Sequence, residues 1–145
     1  MKEELTTFKT VQKAKEAGFD WLCRHAYQGD RLVELPYYDG DGTGLIHNNM
    51  LDNTTSGEIY EVVVPTQSLL QKYLREEHGV YVEVVIDTYK TPNTLAVIIK
   101  ILDGNREYID DEILPWTKIP HFKIGEYKKA LEKGLQEGIK LVLNN

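Results

Sequence analysis

An α+β fold is predicted for this chain: a single domain, 1–145, with three helices packed mainly on one face of an antiparallel sheet. Three observations carry the prediction. Residues 65–79 read as a capped helix that gives way at Val80 to a strand pattern. A second strand-like run, Leu95–Leu102, follows one turn later, and the last stretch repeats apolar residues at the helical period. The division is uneven: 1–64 is rich in turn residues, whereas 65–145 reads helix–strand–strand–strand–helix.

The central helix has the clearest signals. Pro65 drives Val64 toward extended backbone and ends the strand before it. Thr66 is the expected cap. Leu69, Leu70, Tyr73 and Leu74 form one apolar stripe, and Gly79 is a natural residue to follow the last turn. From Val80 the period becomes two, with Val82, Val84 and Ile86 on one face and Tyr81, Glu83 and Asp87 on the other.

Ahead of this helix, Thr10–Gly18 reads as a short helix capped by Thr10, with Val11, Ala14 and Ala17 inward and Phe19, Trp21 and Leu22 as anchors. Turn residues at 28–30, 39–42 and 53–57 then divide short strand-like runs such as Arg31–Leu35 and Ile59–Val64. Behind it, Val80–Tyr89 and Leu95–Leu102 make the main hairpin. Asp103-Gly104 signals a further turn into Arg106–Ile109, and residues 110–124, with Pro115 and Pro120, read as irregular around an anchoring Trp116.

The final helix carries Tyr127, Ala130, Leu131, Gly134, Leu135, Gly138, Ile139 and Val142 on one stripe. A glycine inside a helix costs about 1 kcal/mol relative to alanine, so two on one stripe need a physical use. Ala130, Gly134 and Gly138 form a ridge of small residues suited to close approach of the sheet, of another helix or of a second copy of the chain.

The chain has 145 residues, 41% of them hydrophobic, a net charge of −6 and one cysteine. That is enough apolar content for a core and too little positive charge for a general nucleic-acid binder. No run approaches the ~20 apolar residues of a membrane span, and the single Cys23 has no disulfide partner within the chain. A cytoplasmic setting is expected.

Candidate chemistry is sparse. Asp39, Asp41, Thr43, Gly44 and Ile46 follow the opening of a calcium loop, but Met50 stands where the bidentate glutamate belongs, so a plain turn is expected. Cys23, His25, His47, His78 and His121 show no zinc-ligand or nucleophile spacing. Asp103, Glu107 and Asp110-Asp111-Glu112 form an acidic segment of the solvated kind. Tyrosines 37, 38, 60, 81, 89 and 108 lie in or beside strand-like runs, and Tyr81, Val85, Tyr89, Ala96, Ile98 and Leu102 leave one hairpin face partly apolar, for the first half of the chain or a partner to cover. No catalytic, cofactor-binding or metal-binding residue is assigned.

Two resemblances extend this reading. The order helix–strand–strand–strand–helix, with Leu69-Leu70 opening the first helix and Lys128-Lys129-Ala130 opening the last, looks like a double-stranded RNA-binding domain. That implies phosphate contacts by Lys128, Lys129 and Lys133, against which stand Glu126, Glu132, the absence of the family's Gly-Pro-His loop and the acidic balance. More of the chain is similar to small proteins encoded by phages and prophages of gut Bacteroidota. The residues concerned are Ala-Lys-Glu-Ala-Gly-Phe (14–19), the Pro-Thr-Gln-Ser-Leu-Leu-Gln-Lys-Tyr-Leu-Arg-Glu stretch from 65, and the Ala-Leu-Glu-x-Gly-Leu pattern from 130. This resemblance implies a viral or mobile-element context in a bacterial cytoplasm and no mechanism.

The function expected is that of a non-enzymatic phage or mobile-element accessory protein that binds a host or phage protein. Its alternatives are nucleic-acid binding through the Lys128/Lys129 helix end and small-molecule binding. The Ala130/Gly134/Gly138 ridge is the expected homo-oligomer contact if the chain self-associates.

Overall fold

The structure, a computed structural model, describes residues 4–36, 44–51, 58–87, 93–101 and 116–144. It is α+β, and its described strands divide into two three-stranded antiparallel sheets, a refinement of the one sheet read from the sequence. The chain forms two compact units, Met1–Ser68 and Leu69–Asn145.

In the first unit, α1 (Phe8–Glu16) begins two residues earlier than the sequence suggested. Thr7 takes the cap position in extended backbone, and its hydroxyl lies 3.0 Å from that of Thr10, which is buried inside the helix rather than capping it. The helix ends in a Schellman motif. Gly18 adopts φ 93°, its N–H bonds to the Lys15 carbonyl, and the Phe19 N–H reaches back to Ala14 at 2.9 Å. Phe19 is buried as expected, but Leu22 stays 52% exposed.

The sheet of this unit has the order β2 (Arg31–Glu34), β1 (His25–Gln28), β3 (Val62–Val64). Val11 of α1 packs with Val62 and Val64 of β3, and Leu5 and Tyr27 close that cluster. The segment before α1 is tied to the entrance of the next helix. Thr6 donates to the Pro65 carbonyl from both its N–H, at 3.2 Å, and its hydroxyl, at 3.0 Å. The Gln67 N–H, unpaired within its own helix, bonds to the Glu4 carbonyl at 2.8 Å.

That helix, α2 (Gln67–His78), opens the second unit and ends where Gly79 bonds back to the Arg75 carbonyl. β4 (Val80–Asp87), β5 (Thr94–Ile101) and β6 (Trp116–Phe122) follow in the order β4-β5-β6, and α3 (Tyr127–Leu143) ends the fold. The predicted pairing of the main hairpin is present, running from Val80 opposite Ile101 to Asp87 opposite Thr94.

Two expectations are corrected here. Residues 116–122 are a strand, not irregular chain. An edge strand has one side free of ladder bonds, so it accommodates Pro120, and the register shift against Leu95/Val97 is where it does so. The alternation of β4 also fails at its end. Val80 and Val82 are buried, but Ile86 is 61% exposed and Asp87 is buried, its carboxylate 2.9 Å from the Lys118 ammonium. The expected turn at Asp103-Gly104 and strand at Arg106–Ile109 lie outside the described residues.

The glycine ridge of α3 lies on the sheet. A methyl group at Gly134 would meet Val97 Cγ1 and sit 2.6 Å from Val82 Cγ1. At Gly138 it would lie 3.1 Å from Val82, and 3.3 Å from both Leu74 of α2 and Val80. The small residues let the helix axis approach the branched side chains of β4 and β5 closely, and Leu135 and Ile139 beside them are fully buried.

Candidate functional site

Among the described residues, those nominated by the sequence do not gather at one site. Cys23 is buried, 3% exposed, and its backbone bonds in both directions to Ile46, at 2.7 and 3.0 Å. Burial pushes its thiol up to about 12, which keeps it protonated and unreactive at neutral pH. Of the calcium-like loop, 39–43 lie outside the described residues, while Met50 falls in a 3-10 turn, Asn48–Met50. No group of three or more His, Cys, Asp or Glu able to hold a metal occurs among the described residues.

His47 has a role that the sequence did not reveal. Its Nδ1 lies 2.7 Å from Asp20 Oδ1, and the same carboxylate accepts from the Asn49 N–H at 3.2 Å and the Asn49 side-chain amide at 2.7 Å. Asn49 N is also 3.3 Å from His47 Nδ1, a geometry in which Nδ1 would accept. The shorter contact to the carboxylate decides the tautomer, with Nδ1 as donor. Asn48 completes the clasp, donating to the Phe19 carbonyl at 2.7 Å and accepting from the Val63 N–H at 3.0 Å. These side chains pin the 3-10 turn to the residues after α1.

Beside the clasp is a hollow of about 530 Å³ lined by Lys15, Asn48, Asn49, Met50, Leu51, Ile59, Tyr60 and Glu61. Both ends of Asn48 and the amide of Asn49 are engaged by the chain itself, and Lys15 donates to the Glu61 carbonyl at 2.8 Å. The polar groups here build the unit rather than converge on a ligand.

At the start of α3 the lysines are partly neutralised. Lys129 lies 3.2 Å from Glu126, whose other oxygen accepts from the Lys123 N–H at 2.8 Å. That backbone bond, and then Lys129, holds the Glu126 carboxyl below the usual range. Lys133 and Lys140 share Glu137, at 3.2 and 3.6 Å. Tyr127, expected on the buried stripe, is 54% exposed. On the hairpin face nominated for a partner, Ala96 is fully buried, Tyr81, Val85 and Ile98 are half-buried, and Tyr89 and Leu102 lie outside the described residues.

Among the described residues, one accessible feature is the outer edge of β2. All four of its residues are exposed or half-buried, and Leu32 shows 44% of its surface. The hairpin turn Gly29-Asp30 sets which backbone groups point outward. Gly29 takes φ 67° at the first central position of a two-residue turn, so Gln28 and Arg31 form the closing hydrogen-bonded pair. Bonding then alternates: Arg31, Val33 and Leu35 face β1, and Leu32 and Glu34 face away. Two observed bonds fix this parity independently. Leu35 N–H bonds to the Arg24 carbonyl at 2.8 Å, and the Tyr27 carbonyl turns the opposite way to accept from Glu61 N–H at 2.8 Å. No described strand pairs with that outer edge. The sequence signal for it was the turn at 28–30 followed by a short, charged strand.

No protein family, curated protein or solved structure matches this chain.

Proposed function

We propose that this chain is a phage or mobile-element accessory protein that works by binding a host or phage protein in the bacterial cytoplasm. The phage setting rests on the sequence resemblance alone. The binding role rests on the outer edge of β2, where outward N–H and C=O groups lie beside exposed Leu32. An open edge is a template for an incoming strand and a hazard in a protein that does not use it. Affinity capture from lysogenic or infected cells tests the role, with Leu32→Lys as the paired bait. The expected result is a protein enriched by the parent and lost by the variant, which keeps its melting curve. Equal capture by both baits overturns this use of the edge.

A second reading has one observation in its favour. The second unit runs α2-β4-β5-β6-α3 with three antiparallel strands in sequential order, and Lys128 and Lys129 stand at the start of α3. Duplex RNA is the partner that this order suggests. The ion pairs of Lys129 and Lys133, and the net charge of −6, weigh against it. Salt-sensitive binding of duplex RNA that is lost in Lys128→Glu with Lys129→Glu would favour it over protein binding.

A further inference from the structure

We infer that the β2 edge takes an extended segment of the partner as an antiparallel fourth strand, and that this segment carries a basic residue two positions before an apolar one. This rests on the protein-binding reading and adds the chemistry of the partner. The inference follows from the cross-strand rows. On the face shared with α1, one row runs Val62, Tyr27, Leu32 and the next runs Val64, His25, Glu34. The first row is apolar throughout, and the Phe8 ring meets the edge of Tyr27 at a centroid distance of 4.7 Å. An apolar side chain opposite Leu32 continues that row. Glu34 ends the second row at the open edge, beside half-buried His25, and a cation opposite it supplies the missing charge.

Backbone direction fixes the order. Leu32 and Glu34 both present outward N–H and C=O groups, so each forms a hydrogen-bonded pair with the residue opposite it. In an antiparallel segment the residue opposite Glu34 comes first and the one opposite Leu32 comes two later. The pattern is therefore Lys/Arg-x-apolar, read from the N-terminus.

A second copy of the chain fits poorly. Self-pairing of β2 with Leu32 opposite Glu34 puts the two Glu34 carboxylates diagonally near each other, and pairing Leu32 with Leu32 sets Asp30 opposite Glu34. Both arrangements bring like charges together.

The test uses the whole chain, labelled with ¹⁵N, and two eight-residue strand-forming peptides. One carries Lys-x-Leu and the other Glu-x-Leu on the same Thr/Val background. The expected result is that the lysine peptide binds at least tenfold more tightly and slows amide exchange at Leu32 and Glu34. Glu34→Lys reverses the preference, and Glu34→Gln, which keeps the shape, reduces it. Equal affinities, or protection elsewhere than Leu32 and Glu34, overturn the inference. So does concentration-dependent protection of the same amides with no peptide present, which would make the occupant a second copy. If capture from cells still depends on Leu32 while the peptides show no preference, the protein-binding reading stands and this partner chemistry falls.

Discussion

β2 and β5 are both short runs with apolar residues at their centres, yet one is open and the other closed. β5 is central in its sheet, paired with β4 and β6, and Leu95, Ala96, Val97 and Ile99 are all buried. Among the described strands β2 has one neighbour, and it buries none of its four residues. The difference lies in what stands over each strand. Val97 is covered at close range by Gly134 of α3, whereas the core cluster under α1 takes in β3 and Tyr27 of β1. Burial has been concentrated at β5, and backbone hydrogen-bonding capacity has been left at β2. The first stabilises its unit, and the second leaves backbone donors and acceptors along an exposed strand.

The largest effect is expected at the closed end of this comparison. Gly134→Leu puts a large side chain where even a methyl group sits 2.6 Å from Val82. Valine is short and stiff at χ1, so it cannot swing away, and overpacking of this kind costs roughly 1–3 kcal/mol, occasionally more. Gly134→Ala regains about 1 kcal/mol of helix propensity against the same crowding and should remain destabilising. Gly138→Ala meets neighbours at 3.1 and 3.3 Å, which need to yield only a few tenths of an ångström, so it should be near neutral. Urea denaturation of the three variants checks the order. A Gly134→Leu protein as stable as its parent would mean that the ridge does not face the sheet.

Cys23 offers a second, smaller measure of closure in the first unit. Its folded thiol is raised to about 12 from an ordinary value of 9.0, so the group favours the folded state while it stays protonated. That contribution is fully present below the ordinary value and is lost as pH rises from there toward 12. Stability should therefore fall across this window, and Cys23→Ala should flatten the fall. Alkylation at pH 8 should be slow in the native protein and fast in urea. Rapid native alkylation would place the thiol near the surface.

The smallest effect is expected at the open end. Leu32→Lys changes an exposed edge position, and substitutions of that kind usually shift stability by no more than about 0.5 kcal/mol. A large loss on thermal melting would show that Leu32 is packed, and the contrast with β5 would disappear.

Much of the second unit was legible because its elements carry local signals. The stop at Gly79, the change of period at Val80 and the stripe of α3 each follow from a few neighbouring residues. β6 was not legible, because Pro115 and Pro120 argue against a strand unless its edge position is known. The fate of Ile86 and Asp87 was hidden for a similar reason: only tertiary structure brings Lys118 to Asp87. The clasp of Asp20, His47 and Asn49 joins residues 27 and 29 apart in sequence, and nothing local announces it. The open edge of β2 was half legible. The turn was visible, but which strand would lie outermost was not.

Hydrogen exchange of the free chain at single-residue resolution tests the central claim, that the outer edge of β2, which no described strand pairs with, is open. An alternation is expected: the N–H groups of Arg31 and Val33, bonded to β1, exchange slowly, and those of Leu32 and Glu34 exchange at near-unprotected rates. Equal protection of all four would mean that the edge is already covered in the free protein, and would contradict the account.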